Sequence, residues 1–174
     1  MTEFTCWDLR VCKGRYGEDL VRDRLQKQGR IAYSPPQGIA HPFDLLIYNP
    51  DDGRISLGEV KSNPRRKYYE DNGIRKKSYK KYHEIRSRIG FPLTVFWVDE
   101  VLGVIYGGDL SRLMMPHQSN GRDYPIQSAA GDIFFALDWM YQFWELTSTE
   151  IATLREYSAK IEELKRDDSA AAVD

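Results

Sequence analysis

Cysteine is scarce: Cys6 and Cys12 are the two in 174 residues, and they form no CxxC. Two thiols cannot build a four-thiolate cluster or a disulfide scaffold, so they read as buried thiols or bystanders. Histidine is nearly as rare, and His41, His83 and His117 show no ligand spacing, which removes the usual zinc donor sets. No apolar run approaches the roughly 18 residues that span a bilayer, and Met1–Arg10 lacks a signal-peptide core. Secretion and membrane insertion are disfavoured, and a cytoplasmic location is expected. What is present is globular composition: 41% hydrophobic, 29% charged, 13 Gly and 8 Pro, which excludes a collagen-like or wholly disordered chain. The length fits one domain plus a tail.

Net charge is also nearly absent, at −1, but it is unevenly spread. Lys61–Gly90 holds 11 Lys/Arg against Glu70, Asp71 and Glu84, a local balance of +8, so the remainder carries −9. A concentrated positive segment attracts a polyanion locally, and nucleic acid is the obvious one. The competing reading of the same run is a solvated helix face.

Apolar spacing at Tyr16, Leu20, Val21 and Leu25 predicts a helix over about 15–28, stopped by Gly29. Ile31–Ser34 reads as a short strand. Phe43–Asn49 and Arg54–Ser62 read as a hairpin around Pro50-Asp51-Asp52-Gly53. Asn63–Gly73 is polar and irregular, Arg75–Ile89 helical, and Leu93–Val98 and Val101–Tyr106 are further strands joined by Asp99-Glu100. Asp109 caps a short helix through Met115, Pro116–Pro125 is a loop, and Ile133–Leu137 is a strand. A long helical stretch then runs to about Lys165, where Leu154, Tyr157, Ile161 and Leu164 form a short seam suited to intramolecular packing, with dimerisation as the alternative. The expected division is 1–137 as an α/β domain, 138–166 as a helical extension packed on it, and 167–174 as a disordered tail.

The hairpin carries the chemistry. With the loop at Pro50–Gly53, paired residues sum to 103, so Asn49 faces Arg54, Leu46 faces Leu57, and Asp44 faces Glu59. Like charges placed opposite each other destabilise a sheet unless something positive lies between them, and a divalent cation meets that need. Lys61 projects from the same face as Glu59, while Val60 points into the core. Oxygen donors of this kind suit Mg²⁺ or Mn²⁺. An ion held by Asp44 and Glu59 polarises a phosphate, with Lys61 orienting the nucleophile or stabilising developing charge, which implies phosphodiester hydrolysis. The acid-x-Lys triplet alone is weak: 26 acids and 10 Lys in 174 positions give about 1.5 by chance, and Glu163-Leu164-Lys165 is a second instance. Context distinguishes Glu59-Val60-Lys61: a hairpin, an opposing Asp44, Glu18 on the helix before it and a basic helix after it.

In that combination the chain resembles the PD-(D/E)XK nuclease superfamily, and within it the archaeal-type Holliday-junction resolvases and related phage and restriction nucleases. The matching stretches are Lys13-Gly14-Arg15-Tyr16-Gly17-Glu18, Pro42-Phe43-Asp44 and Gly58-Glu59-Val60-Lys61-Ser62, within about residues 13–112. One departure is Phe43, which separates Pro42 from the aspartate. The resemblance implies a restriction-endonuclease-like α/β fold, an αβββαβ core with a central mixed sheet flanked by helices. It implies that Asp44, Glu59 and the Val60 carbonyl are metal ligands, that Lys61 is the catalytic lysine, and that Glu18 holds metal-bound water or a second ion. Ser34 resembles a loop serine that contacts the scissile region in resolvases.

Against these roles stand ordinary ones: Glu18 as a first-turn helix acid, Asp44 and Glu59 as partners of surface arginines, Lys61 as a solvated strand-end lysine. Tyr68, Tyr69, Tyr79 and Tyr82 interleave with the basic run and either stack on bases or line the core, core being expected for half of them. The leading expectation is a Mg²⁺-dependent DNA endonuclease, with Mn²⁺ substituting. Lys13, Arg15, Arg65, Arg66, Lys67, Lys76, Lys77 and Lys81 would hold backbone phosphates, and the protein would act as a homodimer if it is a resolvase. The alternatives are a cleavage subunit of a mobile-element nucleoprotein complex, and an inactive module that docks to nucleic acid or protein through Phe134–Trp144.

Overall fold

A computed structural model describes residues 5–36 and 41–171, with side chains described through 166. Helix α1 (Cys6–Lys27) starts nine residues before the predicted helix. Thr5 and Asp8 form a capping box: the Thr5 hydroxyl accepts from the Asp8 N–H at 3.2 Å, and the Asp8 carboxylate accepts from the Thr5 N–H at 2.9 Å. The helix buries Leu9, Lys13, Gly17, Leu20, Val21 and Leu25. Strand β1 (Ile31–Tyr33) pairs antiparallel with β2 (Leu45–Asn49), which forms the predicted hairpin with β3 (Arg54–Lys61). The hairpin register is as expected, with Asn49 opposite Arg54 and Leu46 opposite Leu57. Gly53 closes the turn at φ 69°, its N–H donating to the Asn49 carbonyl at 2.9 Å.

After β3 the chain departs from the irregular stretch expected through Gly73, because Asp71 already opens β4 (Asp71–Arg75). Helix α2 (Lys76–Ile89) follows directly and ends at Gly90 in the left-handed conformation. Strand β5 (Leu93–Asp99) is apolar and almost entirely buried, as a central strand must be. Strand β6 (Val104–Asp109) begins three residues later than predicted, because residues 100–103 are spent on the turn. Asp109 caps the short α3 (Leu110–Leu113), accepting from the Ser111 and Arg112 N–H groups, as the sequence indicated.

The segment 116–125 is a hairpin and not a loop: β7 (His117–Ser119) and β8 (Arg122–Tyr124) turn at Asn120-Gly121, both with positive φ, the signature of a type I′ turn. Strands β9 (Ile126–Gln127) and β10 (Asp132–Ala136) join β4 in a small accessory sheet. The expected helical extension over 138–166 is corrected by β11 (Tyr141–Glu145), which pairs with β6 and belongs to the main sheet. Only then does α4 (Ser148–Ala171) begin. It carries residues 167–171 of the expected disordered tail as helix, and residues 172–174 lie outside the described residues.

The fold is mixed α/β. Six strands lie in the order β1-β2-β3-β5-β6-β11, antiparallel except for the parallel pair β3 and β5. The αβββαβ order is present as α1-β1-β2-β3-α2-β5, with β4 inserted before α2. Alternation along each strand builds two cores. On the α1 and α4 face Val60, Phe96 and Val98 pack with Val21 and Leu154. On the opposite face Leu57, Val95 and Trp97 pack with Tyr82 of α2 and Phe135 of β10. Leu154 and Ile161 of the seam are buried, and Tyr157 lies 6.4 Å from Tyr16 of α1, so the seam packs within the chain.

Candidate active site

Three carboxyl groups and a lysine converge where β2 begins and β3 ends. Asp44 lies one residue before the ladder; its N–H donates to the Gly58 carbonyl at 2.9 Å, and its Oδ2 accepts from the Val60 N–H at 2.7 Å. That backbone contact holds the Asp44 carboxyl beside the next residue back on β3, Glu59. Glu59 is buried, 5% exposed, and its Oε1 accepts from the Lys61 ammonium and from the Tyr82 hydroxyl, the latter at 2.5 Å. Lys61 therefore shares the Glu59 face as the period of the strand requires, while Val60 is buried on the other side.

Glu18 arrives from α1. Gly17 permits the approach: a Cβ there would collide with the Ser62 hydroxyl, so the helix backbone sits directly on the end of β3. A cavity of about 290 Å³ lies beside this junction, lined by Arg15, Glu18, Ser34, His41, Phe43 and Asp44. Ser34 thus reaches the site region, where its hydroxyl accepts from Arg22 at 3.5 Å.

All three carboxyl groups are held above the ordinary carboxylate range. Burial is the largest cause in each case. Mutual repulsion adds to it: Glu59 raises Glu18, Glu18 raises Asp44, and Asp44 raises Glu59, while Lys61 opposes the rise in all three. Burial also pushes the Tyr82 hydroxyl up, so it stays a hydrogen-bond donor to Glu59. The site gathers three buried or half-buried carboxyl groups against Lys61, with Arg15 opposing the rise of Glu18 from the cavity side.

The carboxyl oxygens of Asp44 and Glu59 are hard donors of the kind that suits magnesium or manganese better than zinc. No group of three or more His, Cys, Asp or Glu side chains among the described residues is placed to hold one ion, so Glu18 stands beside the Asp44–Glu59 pair without completing a cage. Magnesium keeps several waters and needs only one or two carboxylates.

Two of the eight expected phosphate contacts are corrected. Lys13 is buried, its ammonium donating to Glu100 Oε1 at 2.7 Å and to the Ser158 hydroxyl at 2.8 Å. Arg66 is spent on a two-pronged pair with buried Asp71, at 2.6 and 2.5 Å. Arg15, Lys67, Lys76, Lys77 and Lys81 are exposed, and Arg65 is half-buried with Glu70 3.6 Å away. The tyrosines divide as expected: Tyr82 is buried and Tyr79 packs beside it, whereas Tyr68 and Tyr69 are exposed. Sequence reasoning missed the contact of Tyr82 with Glu59; its one signal was helical spacing from Tyr79. In the segment Phe134–Trp144, Phe135 and Met140 are buried, and Phe143 and Trp144 pack against Phe96, so much of it serves the core, while Tyr141 on the edge strand is exposed.

No family model matches the chain, and no curated protein matches it. Among solved structures it is similar to Hjc of Archaeoglobus fulgidus, a Holliday junction resolvase from an archaeal hyperthermophile. The identity is 11% and the TM-score 0.47, over 72% of this chain and 90% of that one. A likeness of that size carries no argument about chemistry, which rests on the site itself. Among the described residues, no helix is long and apolar enough to cross a membrane.

Proposed function

We propose that this protein is a metal-dependent deoxyribonuclease that hydrolyses phosphodiester bonds at the Asp44–Glu59–Lys61 cluster. The observation that carries the reading is the charge imbalance: three carboxyl groups, all raised by burial and by one another, are opposed by the ion-paired Lys61 and, at Glu18, by Arg15. A fold tolerates such a cluster when a cation completes it. Asp44, Glu59 and the Val60 carbonyl would hold magnesium or manganese, which supplies Lewis acidity toward the phosphate and a more acidic water.

The chain's own groups do the rest. The Lys61 ammonium, half-exposed at the strand end, stabilises negative charge developing on the phosphate oxygens. Tyr82 fixes Glu59 from behind. Glu18, raised by burial and by Glu59, is suited to accept a proton from the attacking water. Arg15 at the cavity and the exposed Lys67, Lys76, Lys77 and Lys81 would hold backbone phosphates, which position DNA without reading its sequence.

Supercoiled plasmid, single-stranded DNA and a four-way junction incubated with Mg²⁺, Mn²⁺ or EDTA test this reading. Cutting is expected with either metal and not in EDTA. Lys61→Ala should cut about 100–1,000-fold more slowly, the scale of losing one charge-stabilising donor, while still binding DNA. Undiminished cutting in Lys61→Ala, or cutting in EDTA, overturns the assignment.

A further inference from the structure

The chain leaving Lys61 does not return at once to the core. Residues 62–70 form an outward loop pinned at its middle, where the Arg65 N–H donates to Asp99 Oδ2 at 2.8 Å. At its outer end Tyr68 is 80% exposed, the largest exposure of any large hydrophobic side chain among the described residues, and Tyr69 is 44% exposed. Cations accompany both rings. Lys67 lies 5.2 Å from the centre of Tyr68, and the guanidinium groups of Arg66 and of Arg122 on β8 each lie 4.3 Å from that of Tyr69. A cavity of about 440 Å³ runs from Lys61 past Asn63, Pro64 and Arg66 to Phe134 and Arg75, so the loop borders a groove that begins at the site lysine.

The charges here do not balance. Arg65, Arg66, Lys67 and Arg122 face Glu70, Asp71 and Asp99, whose carboxylate accepts from the Arg65 N–H, an excess of one positive charge. Arg122 makes no ion pair among the described residues, and its Nη1 is buried without a hydrogen-bond partner. An uncompensated, partly buried cation is costly unless an anion completes it. The loop therefore offers an exposed aromatic face together with excess positive charge, and its Pro64 and Arg66 line the groove that starts at Lys61. Phosphates answer the charge. A base answers the ring, provided that its own face is free, which in an intact duplex it is not.

We infer that the loop 62–70 and β8 form a clamp for unpaired DNA next to the cleavage site, with Tyr68 stacking on a base and Lys67 and Arg122 taking phosphates. This rests on the nuclease reading and narrows its substrate to DNA with a single-stranded segment beside the cut, such as a branch, flap or open strand. An intact duplex would be held by Arg15 and the exposed lysines without the stacking ring.

Fluorescence anisotropy of the full chain in EDTA tests the clamp without any cutting, using labelled oligothymidine and a blunt duplex of equal length. Tyr68→Ala should weaken binding of the single strand by about 5–100-fold and leave duplex binding unchanged, and Tyr68→Trp should restore it. Arg122→Gln should reduce the salt slope of single-strand binding by about one phosphate contact. Equal losses on both probes, no loss on either, or a flat salt response in the unsubstituted protein overturns the clamp. Because this assay does not depend on hydrolysis, a failed clamp and a failed nuclease assignment are told apart by the Lys61→Ala cutting assay.

Discussion

Two lysine–glutamate clusters lie on this fold, and they are built to opposite ends. In the first, Lys13 and Glu100 are 9% and 4% exposed at the side chain, one cation to one carboxylate, with the Ser158 hydroxyl bonded to both. That cluster joins α1, the turn between β5 and β6, and α4. In the second, Lys61 meets Glu59 at the end of β3, but Asp44 lies beside Glu59 and Glu18 stands next to the pair, and burial with mutual repulsion raises all three acids. The first cluster neutralises itself and holds elements in place. The second holds more carboxyl groups than cations, a condition that costs stability and that a bound cation would relieve under the proposed function.

The largest expected effect falls on the balanced cluster. Lys13→Ala leaves Glu100 buried without its counter-charge, a change of about 3–5 kcal/mol. In a chain of this length that corresponds to a fall in Tm on the order of 10 °C by thermal unfolding. Lys61→Ala should cost less, because Glu59, already raised by burial, can take up a proton in place of the lost ammonium. Equal losses would erase the distinction between the clusters.

The unbalanced cluster should respond with the opposite sign. Asp44→Asn and Glu59→Gln remove repelling charge while keeping shape, so both should raise Tm while abolishing cutting. The pH dependence follows from linkage. A carboxyl raised on folding gives its full contribution to stability below its unfolded pKa and loses it as pH rises through the higher folded value. The Tm advantage of Glu59→Gln should therefore be widest at neutral pH and close on acidification into the ordinary carboxylate range. A Tm that falls in both variants would mean the carboxylates are compensated after all.

How far the sequence showed these arrangements depended on how local their causes are. The Pro50–Gly53 turn and the alternation on either side of it fix the hairpin register within twenty residues, so the meeting of Asp44, Glu59 and Lys61 was legible. Lys13 was not: it reads as one more basic residue, and its partners lie 87 and 145 positions away. The early start of α1 was announced only by Thr5 and Asp8, because its first turns bury few apolar side chains. Strand β11 hid for another reason. Its register shifts between Gln142 and Trp144, which breaks the alternation a strand would display. The hairpin of β7 and β8 did carry a signal in Asn120-Gly121, but its flanks, His-Gln-Ser and Arg-Asp-Tyr, are too short and polar to support it.

Tyr82 offers the finest test of the difference between the clusters, because it belongs to the unbalanced one without bearing charge at working pH. Its hydroxyl and Lys61 share the same oxygen of Glu59, and both hydrogen bonds favour the ionised carboxylate. Tyr82→Phe removes one donor and leaves the ring, which is packed among Leu57, Leu93 and Val95. Stability should change by about 1 kcal/mol or less, since the lost hydrogen bond is offset by a carboxyl that is freer to hold its proton. The pH profile of cutting should move more visibly. With one donor gone Glu59 is harder to ionise, so the acid limb should shift toward alkaline pH while the plateau rate changes little. A limb that stays in place while the plateau falls would mean that Tyr82 acts on the reaction by some route other than Glu59.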